Sequence, residues 1–321
     1  MRRSNKILFI VAASLIGAGM ILGIVGLCFM GDNNMALNML KQSTAEHAIG
    51  EDFSDIIIES GNANVFIMPT DEQGCRVVCE ETDKIYYTVD AEDGMLKILK
   101  NDLRKWYDHI GIFWHELSIT VYLPEGEYAS LTIEGDTGDV DVAESLDFSS
   151  VNIQTDTGDV NVRATVTESM LVSTDTGKVD ISNACVSKLH ASADTGHVTV
   201  IGSEAKALTV NTSTGKVKLC DVRSESINVS TTTGGVTVEN TVVSEDAVIK
   251  CSTGDVNLLG FDAKLIDVKT STGDVYGELL SDKIFSTDTS TGEIDIPQSE
   301  AVESRCNVKT STGNIEFKIL A

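Results

Sequence analysis

A short phrase centred on Thr-Gly recurs ten times in the C-terminal two thirds of this 321-residue chain. The copies read DTGDV, DTGDV, DTGKV, DTGHV, STGKV, TTGGV, STGDV, STGDV, STGEI and STGNI. Their glycines run from Gly138 to Gly313 at intervals of 19 to 21 residues. A fixed period of this length is typical of structural repeats that stack on one another. We therefore expect one continuous solenoid rather than two ordinary domains.

Alternating hydrophobic residues around each glycine predict two strands per repeat. The second and fourth residues after the glycine are apolar in nearly every copy, as in Val140 and Val142. Before the glycine, residues such as Val151, Ile153 and Thr155 alternate in the same way. A period of two indicates strands with one buried face. Between the strands, a short polar side chain and a glycine favour a tight turn.

These repeats predict an all-β fold, a parallel β-solenoid. Coils of about 19 residues that stack roughly 4.8 Å apart give a rod of about ten coils with two strands per coil. Because crossovers between parallel strands are right-handed in about 98% of cases, we expect a right-handed rod. No cap sequence follows the tenth copy of the motif. We expect Lys318 to protect that open edge, or two molecules to meet there.

The N-terminal segment has the features of a membrane anchor. Arg2, Arg3 and Lys6 precede an uncharged apolar run at residues 7–30. At about 1.5 Å per residue, a helix of this length crosses the roughly 30 Å hydrocarbon core of a bilayer. The alternative is a cleaved signal peptide, whose apolar region is shorter, about 7–15 residues. The basic flank predicts a cytoplasmic N-terminus with the rest of the chain outside the cell.

We accordingly divide the chain into five parts: a cytoplasmic basic flank (1–6), a transmembrane helix (7–30), a stalk (31–51), an N-terminal β-strand cap region (52–130) and the β-solenoid repeats (131–321). The cap region contains six short β-rich runs separated by turn residues. Repeat proteins need such caps because an open end exposes an unpaired strand edge.

The net charge argues against a nucleic-acid-binding protein, and the cysteine spacing argues against a disulfide-stabilised one. The net charge is −25 and the three basic residues of the N-terminal flank lie outside the solenoid, so the surface repels nucleic acid. Cys75 and Cys79 lie too far apart along one predicted strand to form a disulfide, and the other cysteines fall at different repeat positions. We predict unpaired thiols.

Stacking of the first motifs predicts a line of carboxylates. The residues concerned are Asp136, Asp139, Asp156, Asp159 and Asp175. Carboxylates about 5 Å apart repel, and a hard cation such as Ca²⁺ would relieve that repulsion. The alternative is a solvated acidic edge, because the repeats lack the glycine-rich nonapeptide of calcium-binding β-rolls.

The aromatic residues Trp106, Tyr107, Phe113 and Trp114 form a second candidate site. They include both tryptophans of a chain that is only 5% aromatic. Either their rings pack against the solenoid, or they form a partner-binding surface.

Catalytic interpretations are weaker. DTG is the active-site tripeptide of aspartic proteases, but later copies replace the aspartate with Ser213 or Thr232, so the position needs only a short hydrogen-bonding side chain. A glycan-active enzyme is the remaining alternative, although the nearly constant repeat length provides no long loops to form a cleft. We predict no catalytic residue, no cofactor and no enzymatic activity.

The strand SGNANVFI, the strand ITVYLPEG and the STGDV-type repeats resemble a bacterial family of uncharacterised β-solenoid domains labelled putative adhesins. The resemblance covers residues 52–321 and implies an extracellular or membrane-attached solenoid. We expect a single-pass cell-surface protein of the cell membrane that binds a protein or glycan of the cell envelope. The alternative is an envelope-stress or regulatory accessory that acts on a membrane partner through its aromatic segment.

Overall fold

The alternation of apolar and polar residues folds as strands throughout. The computed structural model describes residues 42–105, 117–298 and 302–320, and its regular structure there is entirely β. The N-terminal part contains β1 (Ser43–Ile49), β2 (Asp55–Gly61), β3 (Ala63–Thr70), β4 (Cys75–Glu81), β5 (Ile85–Glu92), β6 (Met95–Asp102) and β7 (Leu117–Pro124). Each of the six β-rich runs of the predicted cap region forms one of the strands β2 to β7.

Each repeat contributes one long and one short strand. The long strands are β8 (Glu127–Thr137), β10 (Asp147–Thr157), β12 (Thr165–Thr176), β14 (Cys185–Thr195), β16 (Glu204–Thr214), β18 (Arg223–Thr233) and β20 (Val242–Thr253). The short strands are β9 (Val140–Val142), β11 (Val160–Val162), β13 (Val179–Ser182), β15 (Val198–Ile201), β17 (Val217–Cys220) and β19 (Val236–Glu239). The C-terminal strands are β21 (Val256–Thr272), β22 (Val275–Leu279), β23 (Ile284–Thr291), β24 (Ile294–Asp295), β25 (Arg305–Thr312) and β26 (Ile315–Ile319).

Parallel pairing of these strands builds two facing sheets. We call them the long-strand sheet and the short-strand sheet, and β21 passes from the short-strand sheet into the long-strand sheet. Pairing is in register from coil to coil, so that Val160 lies between Val140 and Val179. The ten motif glycines stack in a single column. The solenoid has about nine turns, where the sequence predicts about ten coils. The predicted parallel β-solenoid is confirmed.

The core lies between the two sheets and consists of the alternating apolar residues. Val140 is 2% exposed and Ile153 is fully buried. The predicted inward threonines are also buried, with Thr155 at 5% and Thr212 at 6% exposure. At about 25 cal/mol per Å² of apolar surface, this continuous core supplies the main driving force for folding.

At the N-terminal end, the order of the coils departs from the order of the chain. The coil β2–β3 lies between the later coils β6–β7 and β8–β9. Beyond β6–β7, antiparallel strands complete the end: β5 pairs with β6, β4 with β7, and β1 with β4. Residues 43–49, part of the predicted stalk, therefore belong to the folded end of the rod.

At the C-terminal end, too, the order of the coils in the stack differs from their order in the chain. The coil β25–β26 inserts between β21–β22 and β23–β24, so the last repeat of the chain is the second from the end of the stack. The prediction that the edge at Lys318 is the open one is therefore wrong. The terminal coil is β23–β24 instead, and Lys318 forms an ion pair with Glu278 at 2.8 Å.

The predicted membrane anchor, residues 7–30, and most of the predicted stalk lie outside the described residues. Within the described parts of the chain, no helix is long and apolar enough to cross a membrane.

Candidate functional surfaces

The motif corners form one continuous edge of the rod. Except for Gly292 in the terminal coil, each motif glycine donates its N–H to the threonine carbonyl of the next coil in the stack, as from Gly158 to Thr176 at 2.9 Å. Gly158 has a φ of 146°, and a Cβ built on it would overlap the carbonyl oxygen of Gly138. Glycine is therefore required by the close approach of successive coils as well as by the turn.

A buried hydroxyl completes the inner side of most corners. Thr174 donates to the carbonyl oxygen of Gly158 at 3.1 Å, and Thr212 donates to that of Gly196 at 3.0 Å. Cys251 takes the same place opposite Gly234, with its Sγ 3.3 Å from the carbonyl oxygen. These contacts explain why threonine recurs three residues before the glycine. The DTG and STG phrases are structural corners.

The outer side of the corner separates the five predicted aspartates into two groups. Asp139 accepts the backbone N–H of Asp159 at 2.8 Å, and Asp159 accepts that of Lys178 at 2.8 Å. Asn64 and Asp255 make the same contact in other coils. An Asp or Asn after the glycine thus links one coil to the next. The sequence motif showed the acidic residue but not this role, which depends on the register between coils.

The other three aspartates line a shallow groove of about 510 Å³. In this acidic groove, Asp136, Asp156 and Asp175 lie near Glu59 and Glu134. The groove also contains Lys100, whose Nζ lies 3.4 Å from Asp136 Oδ2 and 3.1 Å from Asn62 Oδ1. Among the described residues, no group of three or more His, Cys, Asp or Glu side chains is placed to hold a metal ion.

The second groove, of about 430 Å³, runs along the outside of the long-strand sheet where the strands bend. Cys185, Glu204, Arg223 and Val242 lie along it, one from each of four successive coils. Its mixture of charges gives it no single electrostatic preference. It crosses several coils and is open along its length.

The six cysteines in the described residues are all free. Cys75, Cys79, Cys251 and Cys306 are buried, whereas Cys185 is exposed. Burial raises the pKa of the Cys75 and Cys79 thiols to about 12, so both stay protonated near neutral pH. The prediction of unpaired thiols holds for these six residues.

The predicted aromatic site, Trp106, Tyr107, Phe113 and Trp114, lies outside the described residues. The strand before it ends with a salt bridge in which Arg104 Nη2 lies 2.6 Å from Asp102 Oδ2. Hydrogen bonds from Arg104 lower the pKa of the Asp102 carboxyl to about 2. The strands before and after it in the chain, β6 and β7, lie side by side with β2 and β3 in the N-terminal part of the stack.

A buried charged cluster, which the sequence did not predict, lies at the other end. Lys283 is 1% exposed, and its Nζ lies 2.5 Å from Asp262 Oδ1 and 2.6 Å from Ser281 Oγ. A serine beside a lysine resembles a nucleophile and its base. However, a lysine that is ion-paired with a carboxylate is an ammonium, which has no lone pair to accept a proton. This cluster therefore has a structural role.

Small uncharged polar residues dominate the middle of the long-strand sheet on its outer face. We call this the central polar face and define it by Ser192, Thr209, Asn211, Asn228 and Ser230. All five are half-buried or exposed and lie on adjacent strands in register. Their hydroxyl and amide groups repeat at about 4.8 Å along the rod. The face is neutral in a strongly acidic protein.

No curated protein sequence matches this chain. Among solved structures, a putative adhesin from Bacteroides fragilis matches with 14% identity and a TM-score of 0.41, covering 87% of this chain and 97% of the other. A putative lipid binding protein from Parabacteroides distasonis matches with 13% identity and a TM-score of 0.46, covering 88% and 97%. A putative adhesin from Parabacteroides merdae matches with 12% identity and a TM-score of 0.40, covering 88% and 97%.

A protein-family model matches the chain twice, over residues 53–190 and 184–320. Together the two matches cover nearly all of the described solenoid, including both exchanged ends. The chain therefore belongs to the Toastrack DUF4097 family.

Proposed function

We propose that this protein is a non-enzymatic cell-surface scaffold, anchored in the cell membrane, whose rod binds a glycan or protein of the cell envelope. The observation that carries the proposal is the central polar face. Its hydroxyl and amide groups are held on a rigid sheet, so little conformational entropy is lost when a ligand binds. Because the face is neutral, it accommodates ligands that the acidic remainder of the surface would repel.

A glycan is the ligand class that this face fits best. Hydroxyl-rich chains exchange their hydrogen bonds with water for hydrogen bonds with Ser, Thr and Asn side chains. The repeated spacing along the rod suits a ligand that itself repeats. No cofactor is needed for such binding.

The test is binding of cell-wall and capsular polysaccharides to the full-length protein in nanodiscs. We expect the double variant Asn211→Ala and Asn228→Ala to lose at least tenfold in affinity. The matched control is Asn161→Ala with Asn257→Ala, which removes two outward amides from the short-strand sheet. Equal loss in both variants, or no binding by the unaltered protein, would contradict the proposal. Cleavage of the polysaccharide would contradict its non-enzymatic part.

We also propose that residues 7–30 form the transmembrane helix, with the N-terminus in the cytoplasm, and that the rod winds to the right. The support is the uncharged apolar run with its basic flank, and the general handedness of parallel crossovers. Alkaline extraction of membranes should retain the full chain. A variant without residues 7–30 should be released, and its retention would contradict the anchor.

A further inference from the structure

The terminal coil of the rod has an open edge. Strand β23 is hydrogen-bonded on one side, to β25, and in the described chain no strand pairs with its other side. Its inward residues Phe285 and Thr287 are only half-buried. The corresponding residues of the neighbouring strand, Cys306 and Val308, are buried at 0% and 2% exposure. The end of the core is thus incompletely covered.

This edge lacks the features that usually prevent strand pairing. Natural sheets protect an edge with lysine, proline, a bulge or inward-pointing charge. Strand β23 reads IFSTDTST and contains none of these. Its single charged residue, Asp288, is compensated by Lys309 on the neighbouring strand, with Nζ and Oδ2 2.7 Å apart. Ile284 and Ile294 add exposed apolar surface, at 42% and 44% exposure.

We propose that this edge pairs with the same edge of a second copy of the chain. In an antiparallel pair related by a two-fold axis at Thr287, Phe285 lies opposite Thr289 of the partner subunit and Asp288 lies opposite Ser286 of the partner subunit. In this pairing the half-buried residues Phe285, Thr287 and Thr289 lie on the core side, and no two like charges face each other. Shifting the axis to Asp288 would place two carboxylates opposite each other, which is unfavourable. The strand is therefore self-complementary in the register centred on Thr287.

Such a pair is a coaxial rod of twice the length. Strand β1 lies at the end of the stack opposite to β23 and β24, so the β1 strands of the two chains lie farthest apart. If the chains are anchored as proposed above, the pair joins two membranes. This last consequence alone rests on the proposed function.

The first experiment is disulfide cross-linking of the full-length protein in detergent, in a Cys28→Ser and Cys185→Ser background that removes Cys28 and the thiol that is exposed in the described residues. Residues facing each other across an antiparallel pair have Cα atoms about 4.5 to 5.5 Å apart, within the range for a disulfide. We expect Thr287→Cys to give a covalent dimer under mild oxidation. Asp288→Cys should give much less, because it lies off the axis. The control Asn228→Cys, on the outer face of a central strand, should give none.

The second experiment measures mass by light scattering. The unaltered protein should be dimeric, and Thr287→Lys should be monomeric because it places a charge in the joined core. In the monomer this side chain is half-exposed, so circular dichroism should show an unchanged fold. Asn228→Lys should stay dimeric. A monomeric unaltered protein without Thr287→Cys cross-linking, or a dimer that survives Thr287→Lys, would overturn the proposal.

Vesicles that carry the full-length protein test the two-membrane arrangement separately. Clustering that is lost with Thr287→Lys would support it. A cross-linked dimer in detergent without clustering of vesicles would confirm the edge pairing and overturn the membrane arrangement. Mass corresponding to a different bound protein in place of a second copy would overturn the self-pairing.

Discussion

The carbonyl oxygen of a motif glycine meets a buried side chain on the inner side of the corner. In most coils a threonine hydroxyl three residues before the next glycine satisfies it, as Thr174 does for Gly158. A buried acceptor without a partner costs about 1–3 kcal/mol, which explains why a polar residue recurs in an otherwise aliphatic core. Thr174 is 3% exposed.

Replacing Thr174 with valine removes this hydroxyl while keeping the shape of the side chain. We expect the free energy of unfolding to fall by about 1–3 kcal/mol, measured by urea denaturation followed by circular dichroism. The control is Ser173→Ala, one residue earlier and on the outer face. If the two variants lose the same small amount, the hydroxyl does not stabilise the corner.

Glycine is needed for a different reason. A Cβ on Gly196 would overlap the carbonyl oxygen of Gly177, and the backbone there has a φ of 155°. Gly196→Ala should therefore lower the free energy of unfolding by more than about 1 kcal/mol, which is the central value for point substitutions. Gly126→Ala is the control, because nothing lies within 4 Å of its Cβ position. Equal unfolding midpoints for both variants would show that the coils can separate to accept a side chain.

At the scale of elements, the chain must pass one level of the stack between β22 and β23, because the coil β25–β26 lies between β21–β22 and β23–β24. The link from β22 to β23 does this, and Lys283 at its end reaches back to Asp262 on β21, two coils below. The pair therefore ties the terminal coil to the rod across the inserted coil. Removing one partner of a buried ion pair typically costs about 3–5 kcal/mol, because the other charge is left uncompensated.

The variant Lys283→Met tests whether the ion pair with Asp262 holds the terminal coil on the rod. We expect loss of about 3–5 kcal/mol of stability in the terminal coil, seen as faster hydrogen exchange of β23. Lys264→Met is the control, since Lys264 and Glu245 form an ion pair at 3.0 Å whose side chains are 58% and 60% exposed. Such exposed pairs contribute about 0–1 kcal/mol. Similar exchange rates in the two variants would mean that Lys283 does not hold the coil.

At the scale of the whole molecule, the sequence predicts the rod but not the order of its coils. Period-two alternation and the regular spacing of the glycines predict two parallel sheets, because the inward apolar residues of both strands must fill the space between them. The repeats are nearly interchangeable, however, so their pattern does not say which coil lies beside which. Two signals hint at the exchange: the 21-residue interval before Gly313, and the polar inward Thr287 in a coil that the stack leaves half-covered.

For the candidate surfaces, the sequence predicts which residues are involved but not how they are arranged. The acidic residues of the corners were visible in the motif, but their division depends on geometry. Asp139 points along the column and accepts a backbone N–H, whereas Asp136 lies in the acidic groove beside Lys100. Lys100 reaches that groove from the exchanged N-terminal coil, which no repeat pattern indicated.

The exchanged order of the last coils can be tested directly by cross-linking within one molecule. Asp267 on β21 lies beside Asn307 on β25, and Asn307 lies beside Ser286 on β23. Adjacent parallel strands are about 4.8 Å apart, which permits a disulfide, whereas strands two levels apart are about 9.6 Å apart, which does not. Asp267→Cys with Asn307→Cys should therefore form an intramolecular disulfide, identified by peptide mass spectrometry under non-reducing conditions. Asp267→Cys with Ser286→Cys should not. The reverse result would mean that the coils stack in chain order, with β23 directly on β21, and would place the open edge of the rod at β25 and β26.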